Sequence, residues 1–187
     1  MPGVLALCAM STALSGQGIA TGFDRRYGVL RFLSTTPLGR GGLVAGKAVA
    51  VLTVVLIQYV VMGVVGLFLG WNPDVPGFLL SLPTLVLGVA AFTAVGLLVA
   101  GTVRAEATLA VVNTLWVVLA ALGGSLIPAH HFPGGGSWFI ELLPSGALGE
   151  ALRAGMLAHQ FAWGPHLVLI AWIVIAGLAA RRWFKWS

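Results

Sequence analysis

Charge is what this sequence has least of. Only 8% of its 187 residues are Asp, Glu, Lys or Arg, where an ordinary soluble domain carries about 25%. With 59% hydrophobic residues and a mean hydropathy of +1.01, the chain does not have water as its main solvent. No Asp, Glu, Lys or Arg falls in the runs 3–22, 48–70, 78–103, 107–127 and 164–180. A helix needs about 20 apolar residues to cross the hydrocarbon core, and a charge at its centre costs roughly 2.5–3.5 kcal/mol. These five runs therefore read as transmembrane helices. Their lack of ionisable side chains disfavours a transporter driven by an ion gradient. Cysteine is limited to Cys8, inside an apolar run, which excludes an intrachain disulfide. No Ser, His and Asp group as nucleophile, base and orienting residue, so catalysis by this chain is not expected.

Glycine, by contrast, is plentiful at 26 residues, roughly twice the usual ~7%. Small residues let transmembrane helices approach closely, and Gly18 with Gly22, and Gly66 with Gly70, have the small-xxx-small spacing. The fold expected is all-α, a single polytopic membrane helix bundle over 1–187, with a loop at 24–47 and another at 128–163. If the loops alternate sides, 24–47, 104–106 and 181–187 share one side and hold nine of the ten basic residues, leaving Arg153 alone opposite. Basic loops stay in the cytoplasm, so the C-terminus is expected inside and the N-terminus outside. The net charge of +5 is thereby a topological signal and does not point to nucleic acid. Trp183, Phe184, Lys185 and Trp186 suit an interfacial anchor. A span that starts two residues after an external N-terminus, without a positive flank, leads to the expectation that a further span precedes it.

The polar residues within the spans include Gln17, Gln58, Tyr59 and Asn113. Such side chains either hydrogen-bond between helices or line a substrate pathway, and both readings stand. His130, His131, His159 and His166 fall on the outer side; with Glu141 they offer zinc donors, but their spacing fits no standard site. They read as exposed loop residues, and no metal or cofactor is expected. After Pro144, the run SGALGEALRAGML puts Leu148, Leu152 and Met156 four apart and Glu150 three before Arg153. That pattern suits an amphipathic helix lying at the interface or re-entering the membrane. Pro144, Leu148, Glu150, Leu152 and Arg153 then form either an outer gate or a passive surface helix.

The stretch GGLVAGKA, 41–48, nearly spells a phosphate-binding loop. Ala48 stands where the magnesium-binding hydroxyl belongs, and the stretch opens a span where a true P-loop joins a strand to a helix in a soluble domain. ATP binding by this chain is not expected, and Lys47 reads as snorkelling to the membrane surface. Just before it, Asp24 can cap a helix with Val29, Leu30, Phe32 and Leu33 on one face and Arg25, Arg26 and Arg31 left wet, stopped at Pro37. Physical chemistry alone leaves this helix either resting in the lipid interface or docking on a partner.

The whole segment, DRRYGVLRFLSTTPLGRGGLVAGK, resembles the cytoplasmic loop of ABC-2-type exporter permeases. The matching positions are Asp24, Arg25, Arg26, Gly28, Leu30, Leu33, Pro37, Gly46 and Lys47, with Asp24 for a commoner Glu and Val29 for a commoner Thr. The stretch from Pro144 to Arg153 is similar to that family's external re-entrant helices, so the resemblance covers nearly the whole chain. The family's cytoplasmic N-terminal helix and first span have no counterpart in it. The resemblance implies about five transmembrane helices, a cytoplasmic coupling helix and an outer re-entrant helical segment. It further implies that Asp24, Arg25, Arg26, Gly28, Val29, Leu30, Phe32, Leu33 and Pro37 dock on a separate ABC ATP-binding subunit, and that a second permease subunit completes a homodimer. The function so implied is export of a hydrophobic drug, antibiotic, lipid or glycan across a bacterial cytoplasmic membrane. The alternative is a shortened, non-transporting permease remnant or a membrane assembly factor.

Overall fold

In hydrocarbon a charge-free segment satisfies its backbone N–H and C=O groups by forming a helix. A computed structural model describes residues 1–33, 39–71, 75–125 and 137–184, and all regular structure among them is helical. Helix α1 (Pro2–Met10) runs through a π turn (Ser11–Gly16) into α2 (Gln17–Arg26). There follow α3 (Val29–Leu33), α4 (Gly39–Phe68), α5 (Val75–Leu80), α6 (Leu82–Thr102), α7 (Ala105–Leu122), α8 (Ser137–Leu142), α9 (Pro144–Ala158) and α10 (Trp163–Trp183). The chain is an all-α polytopic bundle. Among the described residues four stretches are long and apolar enough to cross a membrane: Pro2–Arg26, Val44–Phe68, Val75–Thr102 and Trp163–Trp183. The run 107–127, expected as a fifth span, falls largely on the 18-residue α7, about 27 Å long against a core of ~30 Å.

Helix α6 is the centre of the bundle. It packs against α1, the π turn, α2, α4, α5, α7, α9 and, most extensively, α10. Close approach depends on missing side chains. A Cβ on Gly96 would sit 2.9 Å from the Leu14 carbonyl oxygen and 3.3 Å from the Gly18 nitrogen, so α6 and the first rod meet backbone to backbone. Gly18 and Gly22 face Val112 and Thr108, which makes that pair the seam between α2 and α7. Gly66 and Gly70 are not a second such seam. Gly70 has φ of +82° with open space around it and turns the chain after α4. The outer sides of α4 and α10 are hydrocarbon surfaces of Val54, Ile57 and Val61, and of Leu167, Ile170 and Val174.

Pro83, in the first turn of α6, breaks the rod that α5 begins. The broken turn is satisfied by side chains. Ser81 Oγ donates to the Phe78 carbonyl at 2.7 Å, and Tyr59 Oη donates to Ser81 Oγ while lying 3.1 Å from the same carbonyl oxygen. The Tyr59 ring stacks on Phe78 with centroids 4.1 Å apart.

Helix α9 is sunk into the bundle. Ten of its residues are buried, Leu148, Leu152 and Met156 among them, and it packs on α1, α5, α6, α8 and α10. This overturns the reading of a passive surface helix: Leu148 fills the space that Gly88 leaves on α6, and Gly77 of α5 lies against the Gly155 carbonyl. His166 is likewise no exposed loop residue. It is 2% exposed, one turn inside α10, with Nε2 2.8 Å from the Thr84 hydroxyl and Nδ1 2.7 Å from the Ala162 carbonyl.

Candidate functional site

The ends of several helices meet at one pole. Lys47 Nζ, near the start of α4, donates to Asp24 Oδ2 in the last turn of α2 at 2.6 Å. Arg25 donates to the Ala100 and Val103 carbonyls at the end of α6, at 3.0 and 2.8 Å. The Phe184 ring, after α10, lies against Gly101. With Arg26, Arg104, Arg181 and Arg182 on the same helix ends, this pole gathers the basic residues, and Arg153 stands at the other pole.

Three expectations are corrected here. Asp24 is not a helix cap, because the helical hydrogen bonds of α2 run on to Tyr27, whose amide bonds the Phe23 carbonyl at 2.9 Å. A carboxylate near a helix C-terminus is unfavourable to the dipole, and Lys47 offsets it. Lys47 is therefore held by a partner on another helix and does not snorkel. Arg25 is not wet: its cation closes the carbonyl end of α6, where positive charge is favoured.

The loop helix is also organised differently. Tyr27 and Gly28, the latter at φ +73°, end α2, and α3 restarts at Val29. Helix α3 packs against α2 and α4. The expected single apolar face is consequently split: Leu30 is 1% exposed, whereas Phe32 is 71% exposed and Val29 is also open. Phe23 and Tyr27 join the open side and stack on each other at 6.2 Å. Phe23 falls outside a loop that begins at Asp24, and Tyr27 falls outside the apolar face counted from Val29; their i, i+4 spacing on a helix continuing out of the span was the signal. The side chains of Arg31 and Leu33, and Pro37, lie outside the described residues.

Comparison with known proteins agrees with this architecture. The family profile described as ABC-2 type transporter matches residues 1–157. The chain belongs to that family. ABC transporter G family member 20 of Dictyostelium discoideum is 25% identical over 185 residues, an alignment that takes in 92% of this chain and 24% of that protein. The chain thus spans about a quarter of that relative's length. Membership of the ABC-2 family makes it a membrane-embedded transporter component.

Within this ABC-2 chain the remaining sequence-predicted residues are dispersed. The stretch 41–48 lies within α4, so it forms no loop to wrap a phosphate. Gln58 accepts a hydrogen bond from Thr12 in the π turn at 2.9 Å. Tyr59 is buried in the α4–α5 contact described above. Gln17 Oε1 is buried with no hydrogen-bond partner among the described residues. Asn113 is exposed on α7.

At the opposite pole Arg153 reaches from α9 to the end of α7, donating to the Ser125 and Gly124 carbonyls at 3.0 and 2.8 Å and to Glu150 at 3.0 Å. Pro144, Leu148 and Leu152 are buried on the same helix, and Trp172 Nε1 ties α10 to the Leu142 carbonyl at 2.9 Å. His130 and His131 lie outside the described residues, among which no three His, Cys, Asp or Glu cluster.

Proposed function

We propose that this ABC-2 chain is the transmembrane part of an ATP-driven exporter, with the basic pole in the cytoplasm and Tyr27, Val29 and Phe32 docked on a separate ATP-binding subunit. The observation that carries the reading is an exposed aromatic patch on a braced segment. Docking needs large apolar side chains in the open, and Tyr27 and Phe32 are 72% and 71% exposed. Coupling needs that patch to transmit displacement. Leu30 locks α3 against α2 and α4, Asp24–Lys47 ties α2 to α4, and Arg25 ties α2 to α6. A push on Phe32 is therefore delivered to three spans together.

In this reading Asp24, Arg25, Gly28 and Leu30 brace the contact from within while Tyr27, Val29 and Phe32 make it. A second permease copy completes the pathway, to which Gln17 and Asn113 contribute polar groups, and the α9 segment with Pro144, Leu148, Glu150, Leu152 and Arg153 closes it on the outside. The cargo class is a hydrophobic drug, antibiotic, lipid or glycan, moved outward across a bacterial cytoplasmic membrane.

The test is Phe32→Glu, expressed with the ATPase that accompanies the chain. A charge placed in an apolar contact costs several kcal/mol, and about 1.4 kcal/mol already weakens association tenfold. Membrane levels should stay normal while ATPase co-purification and export fall together by about tenfold or more. Normal co-purification and export by a Tyr27→Glu, Phe32→Glu double variant would defeat the proposal. A wild-type chain that binds the ATPase but exports nothing would favour a non-transporting assembly role.

A further inference from the structure

At the basic pole, a pocket of about 190 Å³ opens between the end of α2 and the start of α7, lined by Ile19, Phe23, Arg26, Ala105, Glu106, Thr108 and Leu109. Its chemistry is amphiphilic. Ile19, Phe23 and Leu109 give an apolar wall, and Arg26 and Glu106 supply opposite charges from facing helices. Both charged residues are exposed, and neither is ion-paired among the described residues, with each other or with anything else. At the start of α7 the Ala107 and Thr108 amides bond the Arg104 carbonyl, which leaves the Ala105 and Glu106 amides without an acceptor within the helix, and the positive end of the helix dipole favours an anion there.

The pocket lies where spans end and headgroups begin. A ligand matching it carries a phosphate for Arg26 and the α7 amides, an ammonium with N–H donors for Glu106, and a chain to lie along Ile19 and Leu109. We propose that this pocket binds a bilayer phospholipid with a zwitterionic, primary-ammonium headgroup, phosphatidylethanolamine in chemical class. A choline headgroup lacks the N–H donors, and a glycerol headgroup leaves Glu106 facing net negative charge. Because Phe23 both lines this pocket and stacks on Tyr27, the bound lipid supports one edge of the exposed aromatic patch. The proposal rests on the membrane fold alone and stands whether or not the ATPase docks at Phe32.

The experiment is native mass spectrometry of the full chain in detergent with equimolar dioleoyl phosphatidylethanolamine, phosphatidylcholine and phosphatidylglycerol. Wild type should retain the ethanolamine lipid about fivefold over the choline lipid, the scale of one charge-assisted hydrogen bond at a partly exposed site. Glu106→Gln should abolish that preference and raise phosphatidylglycerol to the same level, while Arg26→Gln should lower retention of both. Since both side chains are exposed, unchanged melting of each variant without lipid verifies its fold. Equal retention of the three lipids by wild type, or an unchanged ethanolamine preference in Glu106→Gln, would overturn the proposal. So would displacement of the lipid by millimolar phosphoethanolamine, because the apolar wall would then contribute nothing.

Discussion

Replacing Arg25 by Gln removes a cation that closes the end of α6 from another helix. The side chain donates to two carbonyls, Ala100 and Val103. A hydrogen bond from a charged donor contributes about 1.5–3 kcal/mol when well shielded, and the helix dipole adds a further ~0.3–1 kcal/mol. Arg25 is half-buried, so partial screening brings the sum to about 2–3 kcal/mol. In a chain of this size each kcal/mol moves the midpoint by about 2–4 °C, so the melt in detergent should drop by roughly 4–12 °C. Tryptophan fluorescence reads it directly, as the chain has seven Trp. Both bonds come from one nitrogen, Nη1; Arg25→Lys keeps the charge but carries it on a shorter side chain of different shape, and should fall between wild type and Arg25→Gln. Arg26→Gln, without added lipid, is the matched control: an exposed neighbour of the same chemistry, expected to shift by no more than about 2 °C. If Arg25→Gln and Arg26→Gln melt together, Arg25 does not clamp α2 to α6 and the braced-segment mechanism loses its third tie.

Further outcomes are expected elsewhere. Single-Cys probes at Arg104 and Arg182 in a Cys8→Ser background should label from one side of the membrane and probes at Glu141 and Trp163 from the other; labelling of Arg182 and Trp163 from the same side would break the assigned pole arrangement. Gly96→Val should destabilise by about 1–3 kcal/mol, because the new side chain meets the Leu14 and Ala13 carbonyls, which cannot rotate away; a thermal midpoint equal to wild type would show that the rods separate freely. Lys47→Ala should leave nucleotide binding absent and lower stability by about 1 kcal/mol through the stranded Asp24, and saturable ATP binding that disappears with this substitution would contradict the helical reading of residues 41–48. Leu30→Glu, in contrast to Phe32→Glu, should reduce the amount of folded chain in the membrane, measured by fluorescence-detected size exclusion.

The membrane-spanning helical character of the chain was legible because charge is expelled from hydrocarbon irrespective of tertiary detail. What was hidden was direction. Periodicity places Val29, Leu30, Phe32 and Leu33 on one stripe, but it does not say that α2 and α4 claim Leu30 and leave Phe32 outside. The partners of Arg25 are 75 and 78 residues away, beyond any local pattern, so it was read as solvated. His166 sits at the sequence edge of an apolar run, where a loop residue is expected; its burial is explained by the Thr84 hydroxyl on α6, the Ala162 carbonyl and the Phe161 ring stacked on it. The depth of α9 follows from vacancies at Gly77 and Gly88, on helices that the local pattern of α9 does not name.

The π turn at Ser11–Gly16 bears on how the chain tolerates changes in length. Such a turn holds one residue more than an α turn, and one residue is about 100° of rotation. Straightened into uniform α-helix, the same sequence would swing Gly18 and Gly22 off Thr108 and Val112 and carry Asp24 away from Lys47. The turn absorbs that rotation, so that α1 meets α9 while α2 meets α6 and α7. Loss of one residue within Ser11–Gly16 therefore relaxes the rod to α-helix with both of its faces in place, whereas loss of one residue from Gln17–Arg26 turns everything beyond it by about 100°. The first rod thus contains one short stretch in which its length can change without altering which residues meet which.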